Sequence, residues 1–254
     1  MIDPLYSELG IEYQQAYSGP YRPMDIIKPD GRVILSCKDR SLSGYGRPAV
    51  CFGNSESVIH EFVSAYEDCP RVNYMDYLEN GKLTEISRYL MKQRRLPIIF
   101  CTQIIDLTRS EDDLHMDVRK SYQNLVNKYR PEFCPVQTLR DIHFAHCGRE
   151  TRSPKTWEIQ DRMVKSDEAF CLKGENCAAL FLHSTDHCYY GVAASMDHTV
   201  SHPLIWYAII EAKRRGCKTF EMGKQVFVGD TKELGIAGFK RGFGGQTIVR
   251  LEFV

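Results

Sequence analysis

Residues 201–254 read SHPLIWYAIIEAKRRG (201–216), CKTFEMG (217–223), KQVFVGD (224–230), TKELGIAGFKRGFGG (231–245) and QTIVRLEFV (246–254). The order is helix, short strand, loop, a helix interrupted by glycines, and a final strand. Ser201 or His202 is placed to cap the first helix, and Pro203 falls in the first turn, where a missing N–H costs nothing. Lys213, Arg214 and Arg215 suit the negative end of the helix dipole, and Gly216 supplies the stop. Between these ends the run from Leu204 to Ile210 is apolar on nearly every face, so the helix is expected to be buried. A buried helix that leads straight into a strand implies a sheet with helices packed on it.

The rest of the chain is consistent with that reading. At 254 residues there is room for one large domain or two small ones. The composition, 43% hydrophobic and 26% charged with zero net charge, is globular and argues against a protein that mainly grips nucleic acid phosphates. No apolar run approaches the roughly 20 residues that span a bilayer. The opening MIDPLYSELG has no apolar core and does not read as a signal peptide, so a cytoplasmic location is expected. Ten cysteines occur without a C-x-x-C pair, which reads as reduced, mostly buried thiols and disfavours structural zinc. The histidine pairs His143/His146, His183/His187 and His198/His202 have no convincing acidic or thiolate complement, so no metal is expected.

In the first hundred residues strand and helix patterns alternate. Residues 32–37 and 49–52 read as strands, Asn54 or Ser55 as the cap of a helix carrying Ile59, Phe62, Val63 and Tyr66, and residues 82–93 as a helix. Residues 97–107 give the strongest strand signal of this half. Ser110, followed by Glu111, Asp112 and Asp113, opens a helix whose stripe Leu114, Val118, Tyr122, Leu125 and Tyr129 runs to Arg130-Pro131. Helices follow over 138–146, ended by Gly148, and from Ser153-Pro154 to about 165. Then 169–173, 177–183 and 188–195 are extended and joined by short links, an antiparallel meander. Gly191 inside the third strand signals a bulge or a close backbone approach.

Meander, buried helix, parallel strand, helix and closing strand is the order of a GNAT-type acyltransferase domain. YYGVAAS, the apolar helix with Ala212 and Gly216, FEMG and GIAGFKRGFGG together resemble the end of the FemAB-like branch of that superfamily. There a tyrosine strand, a helix ending A-x-x-x-G, an acidic strand end and FK-x-x-F-G follow one another. SEDDLHMDVRKSYQNLVNKYRP is similar to the basic helix joining the two halves in that family, and SLSGYGRP to a turn of its first half. The resemblance implies an α/β fold with a mixed sheet: a GNAT-like acyltransferase domain in residues 106–254 and an abbreviated GNAT-like half in 1–105. MDHTVSHP stands where coenzyme A-using relatives carry a phosphate-binding loop, and Pro203 removes one amide donor there.

What the resemblance implies for function is transfer of an acyl or aminoacyl group to an amine of a cell-envelope precursor, a nucleotide- or lipid-linked sugar or peptide, as in polysaccharide biosynthesis. No tightly bound cofactor is implied, and the donor is aminoacyl-tRNA, acyl-CoA or an acyl carrier protein. A coenzyme A-dependent N-acetyltransferase and a non-catalytic GNAT-fold binding module remain alternatives, because fold does not fix function.

Acyl transfer needs donors for a tetrahedral oxyanion, a route for the amine proton, and a proton for the leaving group. The backbone around Tyr190, Gly191 and Val192 is the candidate oxyanion site, and Tyr189 or Tyr190 the candidate acid, although tyrosines in half-buried strands usually just pack. His198, with Asp197 and His202 beside it, lies at the expected mouth between strand and helix, where a polar loop is the plainer explanation. Glu221 ends the parallel strand at the acidic position of the family pattern. Lys240 and Arg241 precede a glycine turn that includes Gly244, a setting that suits a phosphate or carboxylate as well as an ordinary basic helix end. Arg149, Arg152 and Trp157 have the chemistry of an anionic sugar pocket, or of a core tryptophan with solvated arginines.

Overall fold

The computed structural model describes residues 3–78, 81–196 and 201–254. The chain divides into two compact units: Gln14–Cys101 with Val249–Val254, and Met1–Tyr13 with Thr102–Ile248. The sequence-based boundary at 105/106 falls within the strand in which the chain passes from one unit to the other.

The elements of the first half are α1 (Glu8–Ser18), β1 (Arg22–Pro23), β2 (Ile26–Ile27), β3 (Gly31–Ile34), β4 (Ser36–Lys38), β5 (Ser41–Ser43), β6 (Ala49–Gly53), α2 (Ile59–Asp68), β7 (Arg71–Val72), β8 (Tyr74–Asp76) and α3 (Glu85–Lys92). The single strand expected over 32–37 is two, because Leu35 leaves the ladder: β3 pairs with β6, whereas β4 pairs with β1 and β5. In the same unit β6 runs parallel to β8. Val33, Leu35, Phe62, Tyr74, Ile86 and Leu90 form the core between these strands and α2 and α3. The buried Asp76 carboxylate accepts hydrogen bonds from Leu78 N, Thr84 N and Thr84 Oγ1, each at 2.9 Å, and so fixes the start of α3.

The second unit contains β9 (Ile98–Asp106) from Thr102 onward, α4 (Glu111–Asp117), α5 (Lys120–Gln123), β10 (Glu132–Phe133), α6 (Val136–Cys147), α7 (Pro154–Lys165), β11 (Ala169–Lys173), β12 (Cys177–His183), β13 (His187–Ser195), α8 (Ser201–Arg214), β14 (Thr219–Gln225), α9 (Thr231–Arg241) and the start of β15 (Gln246–Phe253). Its strand order is β10-β11-β12-β13-β14-β9. The meander β11-β12-β13 is antiparallel and β14 joins it parallel. A parallel pair needs a crossover, and α8 provides it. Its Leu204, Ile205, Ala208 and Ile209 are buried against Phe181, Phe220 and Met222 of the sheet, each large aliphatic contributing about 2 kcal/mol. Lys213 Nζ donates to Leu107 O and Arg109 O, both at 2.7 Å, tying the last turn of α8 to the segment after β9. Among the described residues no helix is long and apolar enough to cross a membrane.

One long helix from Ser110 is not what forms. Ser110 does cap α4, its Oγ accepting from Asp113 N at 3.1 Å. But Val118 is extended (φ −65°, ψ 131°), and Arg119 N donates to Gly242 O at 2.8 Å. A tertiary hydrogen bond thus replaces the helical one, splitting the stripe into α4 and α5. The other end of that bond explains the glycines after α9. Gly244 and Gly245 have φ of +85° and +81°, and a Cβ on Gly244 would lie 2.8 Å from Asp117 Cβ. A Cβ on Gly245 would overlap the Ile104 carbonyl. Gly245→Ala is therefore expected to destabilise this unit by about 2 kcal/mol or more, read as a lower urea midpoint with an unchanged slope.

Candidate active site

Strands β13 and β14 pair over His187–Thr219, Cys188–Phe220 and Tyr189–Glu221. Beyond those pairs each strand continues but, among the described residues, no further pairing joins them. On its other edge β13 carries a bulge. Leu180 faces Val192 and Phe181 faces Tyr190, so Gly191 is the extra residue. A Cβ there would sit 2.5 Å from Leu182 Cδ1 and 3.2 Å from Leu180 O, which is why glycine occupies the position. The bulge increases the local twist and helps turn β13 away from β14.

A cavity of about 770 Å3 opens where the strands part. Its floor is made of small residues, among them Ala178, Ala179, Gly191, Ala193 and Ala194. Ser201 and Leu204 of α8 form one wall, and Gly235, Ile236, Phe239 and Lys240 of α9 another. Asp230 caps α9, its Oδ1 accepting from Glu233 N at 2.8 Å, and so sets the pitch that brings Lys240 inward.

Two polar side chains of the lining, Tyr189 and Lys240, approach one another beside Gly223 of β14. Gly223 adopts φ +80°, and a Cβ placed there would lie 3.4 Å from Lys240 Nζ and 3.6 Å from Tyr189 Oη. The ammonium and the phenol therefore meet over bare backbone. Just behind them the Glu221 carboxylate is 3% exposed. Thr102 Oγ1 donates to Glu221 Oε1 at 2.6 Å, and His187 Nε2 lies 3.4 Å from Glu221 Oε2. His187 Nδ1 is in turn 2.8 Å from Thr219 Oγ1. Burial holds the Lys240 pKa below the ordinary lysine value, and the Glu221 charge partly opposes that shift. Burial pushes the Tyr190 phenol up, so it remains protonated, and its ring stacks on Phe181 with centroids 5.5 Å apart.

Of the residues expected from sequence, Tyr190, Gly191 and Lys240 line this cavity, and Glu221 stands directly behind it. His198, like Asp197, lies outside the described residues. The other positions are elsewhere. His202 is 6% exposed and packs its ring among Tyr122, Phe239 and Phe243, with centroids 4.3, 5.1 and 6.0 Å away. Arg241 turns from the cavity to donate to Gln225 Oε1 at 3.0 Å and covers Phe227. Gly244 accepts from Gln103 Nε2 at 2.7 Å and is closed in by Asp117, so packing accounts for the glycine turn. Arg152 lies over Trp157 and within 3.1 Å of His143 Nε2, forming an α6–α7 cluster; Trp157 is buried and Arg149 exposed.

Tyr189, Gly223, Thr102 and His187 complete the group, and Tyr189 was legible. Alternation along β13 puts Cys188 and Tyr190 on the core side, which leaves Tyr189 on the opposite face. Thr102 carries no such signal, since its role depends on β9 lying beside β14.

No family model matches the sequence, and no curated protein matches it. The solved structures do. FemX superposes with a TM-score of 0.70 at 14% identity, covering 99% of this chain and 92% of that one. L-PGS from Bacillus licheniformis gives 0.60 at 13% identity, covering 100% and 93%. The C-terminal domain of a lysylphosphatidylglycerol synthetase from Agrobacterium fabrum gives 0.57 at 11%, covering 91% and 83%. At these identities the likeness is one of fold. The chain has a mixed α/β fold similar to that of FemX.

Because Glu221 supports the charged form of Lys240, Glu221→Gln is expected to lower the Lys240 pKa further. Labelling of Lys240 by an amine-reactive reagent, followed against pH by mass spectrometry, should then begin at lower pH than in the parent protein.

Proposed function

We propose that this chain is an acyltransferase that moves an acyl or aminoacyl group onto an amine of a cell-envelope precursor, a nucleotide- or lipid-linked sugar or peptide. One observation carries the reading: beyond the last pair of β13 and β14 lies a cavity in whose lining Lys240 and Tyr189 converge beside Gly223. The fold shared with FemX and with lysylphosphatidylglycerol synthetase domains supports the acyl or aminoacyl class, and those names support an envelope acceptor. The donor is carried by a tRNA, coenzyme A or an acyl carrier protein, with the reaction on the cytoplasmic side.

In this mechanism the acceptor amine attacks the donor carbonyl, so an N–C bond forms and the ester or thioester bond breaks. The Lys240 ammonium, together with backbone N–H groups freed where β13 leaves β14, stabilises the oxyanion of the tetrahedral intermediate. A cation in a site shielded from bulk water acts more strongly than one in solvent. The Tyr189 phenol donates its proton to the departing oxygen or sulfur, the amine proton leaves to solvent, and solvent returns a proton to the Tyr189 phenolate. Glu221, held by Thr102 and flanked by His187, keeps Lys240 charged despite its burial.

Lys240→Ala is expected to lower kcat by about 10²–10³-fold with an unchanged circular dichroism spectrum. Unaltered turnover would remove Lys240 from the mechanism. The reaction needs Lys240 protonated and burial lowers its pKa, so kcat should fall as pH rises through a value below the ordinary lysine pKa of 10.5. Lys240→Arg should move that alkaline limb upward, since guanidinium stays charged. Thermal-shift screens with acetyl-CoA and with aminoacyl-tRNA identify the donor, the true one raising Tm with the logarithm of its concentration above Kd. Failure of every acyl donor to raise Tm or to be turned over would overturn the reading.

A further inference from the structure

Helix α8 has two working faces. At about 100° per residue, Ser201 and Leu204 point to the acyltransfer cavity, while Pro203, Trp206, Tyr207, Ile210 and Arg214 lie on the opposite side. That second side borders a separate cavity of about 460 Å3, completed by Glu111, Asn127 and Arg130. Trp206 and Tyr207 are half-buried, so their rings are backed by the core cluster and keep an accessible surface. The Arg130 guanidinium sits 6.0 Å from the Tyr207 centroid, and the 52% exposed Phe133 extends the aromatic surface, 6.4 Å beyond Tyr207.

The charge arrangement is informative. Arg130 and Arg214 are both exposed, and neither has a carboxylate within ion-pair distance among the described residues. The neighbouring Arg215 differs, being paired with Asp167 and Glu211. Glu111 is the acidic group on the rim. Half-buried rings beside two guanidinium groups that lack a carboxylate partner among the described residues suit a planar ligand that carries phosphate. Aromatic side chains stack on a base whatever its sequence, and guanidinium pairs with phosphate in a fixed fork. Glu111 and Asn127 add a carboxylate acceptor and an amide for ribose hydroxyls or a base edge. A cavity of this size is ample for one nucleotide.

The geometry points to a nucleotide-binding site on the outer face of α8, in which Trp206 stacks the base, and Arg214 and Arg130, the latter resting on the Tyr207 ring, hold the phosphate. The same chemistry is offered by a free mononucleotide and by the unpaired end of an RNA strand. The site is distinct from the acyltransfer cavity and does not depend on the activity proposed for it.

The protein's own fluorescence tests this. The chain has two tryptophans; Trp157 is 4% exposed, so a ligand in the cavity meets Trp206. Titration with AMP, and separately with a short single-stranded oligoadenylate, is expected to quench Trp206 emission, with Trp206→Phe as the control that abolishes the signal. Saturable quenching by AMP identifies a mononucleotide site, and quenching by the oligonucleotide alone identifies a strand end. In either case Arg130→Ala/Arg214→Ala should weaken binding at least tenfold with an unchanged Tm, and for the oligonucleotide two phosphate contacts predict a salt slope near −1.4, from about −0.7 per contact. No quenching by either ligand, or quenching that survives the double arginine variant, overturns the proposal. Because the readout is binding at Trp206, its failure leaves the Lys240 experiments standing, and their failure leaves this one standing.

Discussion

Two parallel strands that pair for three residues and then part create the condition on which the candidate site depends. At the parting point the carboxylate of Glu221 is buried, and a buried carboxylate without partners would cost several kcal/mol. Thr102 donates to one of its oxygens and His187 stands against the other. With one oxygen hydrogen-bonded to Thr102, the charge of the carboxylate supports the Lys240 ammonium against the cost of its burial. The bulge at Gly191 and the left-handed Gly223 both serve the same opening. One turns β13 aside, and the other leaves a surface with no side chain between the lysine and Tyr189.

Helix α8 organises the unit around this point. Its apolar side packs on the sheet, Lys213 ties its last turn to the segment after β9, and two of its faces border cavities with different linings. The inner one has a floor of small residues and a deep cation, suited to a short acyl group. The outer one has rings and arginines at its rim, suited to a flat anion. A single well-buried helix can hold both because its position is set by the core between them.

The FK-R-G-F-G-G segment at the end of α9 shows how one sequence signal can serve separate physical ends. Its lysine enters the cavity, its arginine leaves to cover Phe227, and its phenylalanines close an aromatic cluster around His202. Its glycines exist because Asp117, Tyr122 and Ile104 approach too closely for any side chain. A basic residue beside glycines looks like a phosphate grip in one dimension. In three, the glycines belong to packing and only the lysine to the cavity.

What the chain determines by itself is local. The meander, the caps at Ser110 and Ser153, the stop at Gly148, the buried helix with its early proline and the bulge at Gly191 all follow from period, capping and glycine placement, and all are found. Lys240 and the bulge region were legible too, the first through resemblance and the second through a glycine in a strand. Tertiary structure alone decided the rest, because it turned on contacts between residues far apart in the chain. Arg119 exchanges a helical hydrogen bond for one to Gly242 and breaks a helix whose apolar stripe was continuous. Thr102 reaches Glu221 from a strand more than a hundred residues earlier, a distance no local pattern spans. His202 and Arg241, polar by residue type, are drawn into aromatic packing instead of the cavity. Periodicity reports which face of an element is buried, but which neighbour covers it is fixed by packing.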